Sequence, residues 1–163
     1  MSFDPVYTDN SCTLILGTWP SPKSRAQGFY YGHPQNRFWP LLAALLGEPL
    51  PRDIPAKKAL IRTRGLALWD TVASCTITGA SDASIRDVVP NDIAKFCARV
   101  PIRRILCNGA AAHRLCVKYN ALPPGVEVLR MPSTSPANAA WTMERLAAAW
   151  AQGLCADAKG RAE

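Results

Sequence analysis

The segment from Phe29 to Trp39 places polar side chains that could do chemistry among several aromatic rings. Its sequence, FYYGHPQNRFW, interrupts the rings with His33, Asn36 and Arg37. A stretch that only fills a core seldom mixes rings with such side chains. We therefore expect this segment to hold a ligand.

Two further loops combine tight turns with small hydroxyl side chains. The first is GTWPS at residues 17–21, and the second is MPSTSP at residues 131–136. Small side chains and free backbone N–H groups at a helix start suit a phosphate, which needs close backbone approach and partial positive charge. Each loop could equally be an ordinary capped loop.

Short apolar runs alternate with helical patterns along the chain. A helix over 38–46 is expected to end at Gly47, the next to be capped by Asp53, and a third by Asn91. The last helix is expected to begin at Ser135-Pro136 and to run through Trp150. The predicted strands are 13–17, 66–69, 102–107 and 126–129, and the predicted helices cover about 38–46, 54–64, 91–100, 110–120 and 135–150.

This alternation predicts an α/β fold. We expect a three-layer α/β/α domain with a central four-stranded parallel sheet, formed by one domain over residues 1–163 with a frayed tail from about 153 to 163. Ligands of such sheets bind beyond the carboxyl ends of the strands. That rule selects the loops 17–39, 70–82 and 130–138, so the aromatic segment lies at the mouth of the expected site.

The charge balance favours an anionic partner. Nineteen Lys and Arg against twelve Asp and Glu give a net charge of +7, which suits nucleic acid better than a membrane surface. The sequence contains neither a membrane-spanning run nor a signal peptide, so we expect a cytoplasmic monomer, associated with the nucleoid if the source is bacterial. The cysteines lack the spacing of a metal site, so no metal is expected.

These motifs together resemble the uracil-DNA glycosylase superfamily. The likeness covers most of the chain, and GHPQNRFW at residues 32–39 is its most specific element. Trp69-Asp70, GASD at 79–82 and PNDI at 90–93 resemble the hypoxanthine-DNA glycosylase branch in particular, ahead of the mismatch-specific uracil/thymine branch. The resemblance implies a DNA repair enzyme that swings a damaged base out of the helix and cuts its N-glycosidic bond.

The resemblance assigns the central functions to two residues of the aromatic segment. Tyr31 occupies the position of the ring on which the extruded base stacks, the alternative being a core aromatic. Asn36 maps onto the catalytic asparagine, whose amide oxygen could hold the attacking water while its NH2 donates to base or phosphate. Asn36 could also cap the following helix.

One residue departs from the wider family pattern. Trp19 stands where many relatives carry a polar residue that activates water, and an indole cannot accept a proton. We therefore expect Trp19 to help bind the base with Gly17 and Thr18. His33 could contact the base or a phosphate, or lock the turn before Pro34, and Asp70 could bind the base edge, raise the basicity of a water or cap a turn.

The resemblance also implies the contacts with DNA. We expect the strand to be held by Pro20, Ser21, Pro132, Ser133, Ser135 and Asn138. Ser135 could instead be only a helix cap.

The expected activity is that of a monofunctional glycosylase acting on hypoxanthine with water as the nucleophile and no cofactor. The three candidate loops contain no lysine other than Lys23, so a Schiff-base mechanism has little support, although spacing alone leaves Lys23 open as its nucleophile. Uracil or xanthine as the base, or a damaged-DNA binding module that has lost its chemistry, are the alternatives.

Overall fold

The computed structural model of this protein describes residues 3–77 and 85–161, with side chains as far as Leu154. The motif at 79–82 lies outside the described residues. The elements are β1 (Thr13–Gly17), α1 (Pro22–Gln27), α2 (Phe38–Leu46), α3 (Ile54–Thr63), β2 (Leu66–Asp70), β3 (Val72–Thr76), β4 (Arg86–Pro90), α4 (Ile93–Arg99), β5 (Arg104–Asn108), α5 (Ala110–Tyr119), β6 (Glu127–Met131) and α6 (Met143–Arg161).

The central sheet has four parallel strands, which confirms the predicted fold class. Its strand order is β2-β1-β5-β6. In the ladder, Gly17 pairs with Asp70, Leu16 with Cys107, and Asn108 with Met131. The carboxyl ends of all four strands therefore lie along one edge of the sheet.

Helices cover both faces of this sheet because its inner strands are apolar on both sides. Ile15 of β1 packs into a core with α2, α3 and α6, which includes Phe38 and Trp150. Leu14 and Leu16 point the other way, into a core formed with α4 and α5. This alternation is the period-two pattern of a strand that is buried on both faces.

Local capping signals explain two of the helices. Helix α2 ends at Gly47, whose φ of 66° is the left-handed conformation that glycine adopts without strain. Helix α3 begins after Asp53, whose carboxylate accepts a hydrogen bond from Ala56 N at 2.8 Å. Both caps were predicted from the sequence.

The predicted cap of α4 was wrong by one residue. Asp92 caps this helix by accepting from Lys95 N at 3.0 Å. Asn91 instead donates from Nδ2 to the carbonyl oxygen of Asp70 at 2.8 Å. The amide thereby joins the end of β2 to the segment before α4.

The predicted start of the last helix was also wrong. Helix α6 begins at Met143, where the hydroxyl of Thr142 accepts from Arg145 N at 3.2 Å. The stretch from Ser135 to Trp141 forms turns, because Ser135 Oγ accepts from Ala137 N and Asn138 Nδ2 donates to Ser133 O. Side chains of this kind compete with helix formation by satisfying nearby backbone groups.

Helix α1 and the antiparallel hairpin of β3 and β4 were not predicted. Ser21 caps α1 by accepting from Ser24 N at 3.1 Å, and Gly28 ends it with a φ of 77°. The hairpin follows β2 directly and has register shifts along its length. In the central sheet, β5 and β6 lie slightly C-terminal to the predicted strands.

Among the described residues, no helix is both long enough and apolar enough to cross a bilayer. The predicted single domain and its frayed tail from about residue 153 stay predictions.

Removing the cap of α3 should lower stability. Asp53→Ala deletes the acceptor of Ala56 N, and we expect the free energy of unfolding to fall by about 1 kcal/mol. Urea unfolding of both proteins measures the difference. Asp53→Asn keeps an acceptor and should retain most of the stability, so an equal loss in both variants would contradict this interpretation of the cap.

Candidate active site

A pocket of about 140 Å³ opens at the carboxyl edge of the sheet, where the loops after β1, β2 and β6 meet. Most of the predicted site residues line it, namely Gly17, Thr18, Trp19, Pro20, Ser21, Tyr31, Asn36, Asp70, Ser133 and Ser135. His33, Pro132 and Asn138 do not line it. The aromatic segment and both hydroxyl loops are thus brought together, as the sequence predicts.

Gly17 lets two polar groups approach the end of β1. A Cβ at this position would lie 2.5 Å from Asp70 Oδ1 and 2.9 Å from the hydroxyl oxygen of Tyr31. Any side chain would therefore collide with the carboxylate that pairing of β1 with β2 places beside it. Glycine is required here for space, and the carboxylate and phenol form one wall of the pocket.

Tyr31 has an unusual backbone conformation for a large side chain. Its φ is 54°, in the left-handed region that L-residues other than Asn and Asp seldom adopt. The ring packs on the ring of Phe38, with centroids 4.1 Å apart and planes tilted by 31°. Neighbours hold the backbone on both sides, since Trp39 Nε1 donates to Tyr30 O at 3.0 Å and Gly32 N donates to Ser24 Oγ at 2.9 Å.

The phenol of Tyr31 stays protonated in the folded protein. Burial raises its pKa well above that of an ordinary tyrosine, and the nearby Asp70 carboxylate raises it further, while the amide of Asn108 acts in the opposite direction. The pKa of Tyr30 is raised too, mainly by burial and then by Asp70. The side chain of Tyr31 is therefore a neutral phenol near neutral pH.

The amide oxygen of Asn36 already has two donors. Oδ1 accepts from Phe38 N at 2.9 Å and from the hydroxyl of Thr134 at 2.8 Å. The first contact lies at the start of α2, whose first residue is Phe38. Arg37 holds the N-cap position, so Asn36 stands one residue before the cap that the sequence predicted for it. In the described part of the chain Nδ2 makes no hydrogen bond, so it is the atom of this amide left to donate to a ligand.

His33 makes the contact expected of a turn-locking residue. Its Nδ1 accepts from Gln35 N at 3.0 Å, and its carbonyl oxygen accepts from Asn36 N at 2.9 Å. These bonds set the path of the chain into Asn36. The alternative contact of His33 with a base or phosphate stays a prediction.

Trp19 brings a buried hydrogen-bond donor to the pocket. Its Nε1 is shielded from solvent and makes no hydrogen bond with the described residues. Arg25 lies over the indole, with the guanidinium carbon 5.8 Å from the ring centroid. A buried donor without an acceptor is costly, which is typical of a group that a ligand or a bound water completes.

Arg37 holds the loop after β6 against the aromatic segment. Its guanidinium donates to the carbonyl oxygens of Trp141, Ser135 and Asn138, the latter two at 2.9 and 3.1 Å. Trp150 of α6 donates from Nε1 to Pro132 O at 2.9 Å. These contacts fix the backbone on which Ser133 and Ser135 are presented to the pocket.

Asn108 and Thr134 are among the polar pocket residues that sequence reasoning missed. Asn108 ends β5, outside the three loops that the sequence selects, and Thr134 stands between the two serines assigned to DNA. Its position in the MPSTSP loop was the available signal. Thr134 is fully buried, and its hydroxyl accepts from Asn108 Nδ2 at 3.0 Å while donating to Asn36.

Comparison with known proteins decides the family. Residues 5–152 match the family model described as the uracil DNA glycosylase superfamily. The chain belongs to this superfamily. The predicted resemblance is thereby confirmed.

Three individual proteins illustrate the similarity. A hypoxanthine DNA glycosylase of Methanosarcina acetivorans is 34% identical over 148 residues, which cover 88% of this chain and 90% of that protein. Its counterpart in Methanosarcina barkeri is 32% identical over 109 residues, or 66% and 69% of the two chains. A solution NMR structure of a candidate uracil DNA glycosylase from M. acetivorans superposes with a TM-score of 0.77 at 31% identity and covers 94% of both chains.

The two named glycosylases come from archaea, so they lend no support to the expected association with a bacterial nucleoid.

The raised pKa of Tyr31 should appear in the alkaline stability of this glycosylase-family protein. Its contribution is fully present below pH 10, near the pKa of an unfolded tyrosine, and is lost as the pH rises above it, by about 1.4 kcal/mol per pH unit. Urea unfolding at several pH values above 10 should give a shallower loss for Tyr31→Phe than for the wild type. Tyr119→Phe, at an exposed position on α5, should keep the wild-type slope, and equal slopes in all three would contradict the assignment.

Proposed function

We propose that this protein flips a deaminated base, most specifically hypoxanthine, out of DNA into the pocket and hydrolyses its N-glycosidic bond. The carrying observation is that the ring of Tyr31 and the amide of Asn36 line the same pocket at the carboxyl edge of the sheet. Family membership and the names of the two archaeal relatives support the reaction and the base.

Tyr31 would bind the extruded base by stacking. One side of its ring packs on Phe38, which leaves the pocket side for a planar ligand. Stacking of a base on an aromatic ring is worth about 1 to 3 kcal/mol and tolerates any base. Tyr31 would therefore supply affinity for an extruded base and leave the choice of base to the polar groups around it.

Asp70 and Trp19 present the polar pattern that distinguishes a deaminated base. Hypoxanthine carries an N–H beside a carbonyl, whereas adenine has an acceptor and an amino group there. The Asp70 carboxylate can accept from that N–H, and Trp19 Nε1 can donate to the carbonyl. Uracil and xanthine carry the same pair, so this pattern rejects adenine without choosing among the three. The fit of a purine ring against Gly17 and Thr18 would disfavour uracil, and xanthine differs from hypoxanthine by a second carbonyl at C2.

Asn36 would act on the bond that breaks. Water forms a bond to C1′ of the sugar and loses one proton, while the bond from C1′ to N9 breaks. The electron pair of that bond leaves with the base, which takes up one proton. Nδ2 can donate to the base or to the attacking water, while Oδ1 is occupied by Phe38 and Thr134. Donors aimed at developing negative charge are a main source of catalysis. Nδ2 of Asn36, and not Oδ1, would therefore contact the base or the attacking water.

The DNA strand would cross the two hydroxyl loops. Ser21 with Pro20 and Ser133 with Ser135 flank the pocket mouth. Asn138 and Pro132 would contact the strand further out, where they hold the turn before α6. The excess of positive charge adds a salt-dependent affinity that is independent of sequence. We propose further that the protein acts on DNA as a monomer in the cytoplasm.

The position of Lys23 favours hydrolysis by water over a mechanism in which this lysine forms a Schiff base. It lies on α1, is exposed and does not line the pocket. A lysine that forms a Schiff base must reach the sugar and lose its proton in a desolvated site. A monofunctional enzyme is the consequence.

Replacing Asn36 tests the proposal. Asn36→Ala should lower base release from an inosine-containing duplex by about 100-fold or more, because one donor to the reacting groups is removed. Binding to the same duplex should change far less. Gln35→Ala, an exposed neighbour in the same turn, is the matched control and should retain full turnover.

The wild-type protein should be assayed in parallel on duplexes that contain inosine, deoxyuridine, deoxyxanthosine or deoxyadenosine. We expect release from the inosine duplex to be fastest and release of adenine to be absent. Binding without release from any of the four would contradict a glycosylase and favour the damaged-DNA binding module.

The buried indole N–H gives a separate test of base recognition. Trp19→Phe keeps an aromatic ring and removes the donor, so kcat/KM for inosine should fall about tenfold, the value of one hydrogen bond to the base. Single-turnover kinetics measure the effect, with thermal unfolding to verify the fold. An unchanged kcat/KM would show that Trp19 only fills space.

A further inference from the structure

We infer that Thr134 and Asn108 are positioning residues that hold the amide of Asn36 with its NH2 toward the substrate. This inference rests on the proposed role of Asn36. It concerns how the fold orients that side chain, and it assigns a function to two residues that the sequence analysis did not select.

The hydrogen bonds run in one direction from the sheet to Asn36. Asn108, the last residue of β5, donates from Nδ2 to Thr134 Oγ1 at 3.0 Å. The hydroxyl of Thr134 then donates to Asn36 Oδ1 at 2.8 Å. In return, Asn108 Oδ1 accepts from Thr134 N at 3.0 Å. Asn108 and Thr134 are thus joined by two reciprocal hydrogen bonds. The hydroxyl proton of Thr134 is left to bond to Asn36.

The direction of each hydrogen bond in this series is fixed, because neighbouring backbone N–H groups can act only as donors. The backbone N–H of Thr134 can only donate, so it requires the oxygen of Asn108 and turns the NH2 of Asn108 toward the hydroxyl. The backbone N–H of Phe38 likewise requires the oxygen of Asn36. A flipped Asn36 would set its NH2 against this N–H and against the Thr134 hydroxyl. The amide nitrogen is therefore held on the remaining side.

Burial makes this arrangement difficult to replace with water. Thr134 is fully buried, and its carbonyl oxygen accepts from Arg37 N at 3.1 Å. Both its side chain and its backbone thereby bond to the segment that carries Asn36. Hydrogen bonds therefore join the loop after β6, the end of β5 and the turn before α2, and anchor them to a central strand of the sheet.

Thr134→Val tests the inference by removing the hydroxyl at nearly constant volume. Asn36 then loses one of two donors, its amide can rotate, and kcat on an inosine duplex should fall about 10- to 100-fold, as expected for a misplaced catalytic group. DNA affinity should change little. Thr134→Ser keeps the hydroxyl and should restore most of kcat, whereas Thr63→Val removes an exposed hydroxyl on α3 and should have no effect.

Asn108→Asp provides a second variant that reverses the polarity of the chain. A carboxylate at this position accepts the Thr134 hydroxyl proton, which is then no longer donated to Asn36. The loss in kcat should match that of Thr134→Val. Thermal unfolding of every variant verifies that the fold is retained.

A double-mutant cycle separates positioning from a purely structural effect. In an Asn36→Ala background, adding Thr134→Val should cause no further loss of kcat, because both changes act through one amide. Additive losses would overturn the inference, as would full activity of Thr134→Val alone. Full activity of Asn36→Ala would instead overturn the proposed function, so the two failures are distinguishable.

Discussion

The site depends on the parallel pairing of β1 with β2 on one side and with β5 on the other. This register sets Gly17 beside Asp70 and ends β5 at Asn108 on the same edge. A slip of one residue in such a ladder would turn every side chain to the opposite face. The apolar residues on both faces of β1 prevent that slip, because a shifted Leu14, Ile15 or Leu16 would lose its place in a core. The packing of the interior therefore holds the polar groups of the pocket in place.

Backbone strain is stored at Tyr31, the residue proposed to stack on the base, and is resisted by the segment around it. A tyrosine in the left-handed region costs of the order of 1 to 3 kcal/mol unless neighbouring contacts hold it. Packing on Phe38 and the hydrogen bonds of Tyr30 and Gly32 supply those contacts. The segment is rich in aromatic residues because most of its rings are buried and hold the loop against the sheet. Phe29, Phe38 and Trp39 are buried and anchor the loop, while Tyr31 lines the pocket beside Asn36.

Predictions that rested on short-range signals were accurate, and those that ignored distant partners were not. Gly47 and Asp53 end and begin their helices through bonds to residues within one turn, which the local sequence encodes. Asn91 seemed equally suited to capping, but the carbonyl of Asp70 in β2 takes its amide. Ser135 and Pro136 have the composition of a helix start, yet turn bonds within the stretch and the guanidinium of Arg37 together hold it as turns. The distant partners, Asp70 and Arg37, lie outside the local patterns around these two sites.

The sequence by itself determined the α/β layers, the edge at which the site lies and the residue types gathered there, because hydrophobic periodicity and turn residues act over short distances. It also carried the family motif in which Tyr31 and Asn36 were found. Only the tertiary structure completed the surroundings that leave the NH2 of the Asn36 amide available to a ligand. The local donor Phe38 N is joined there by the hydroxyl of Thr134, which is 98 residues away in the chain, and a hydrogen bond between such distant residues exists only after the sheet has brought their loops together.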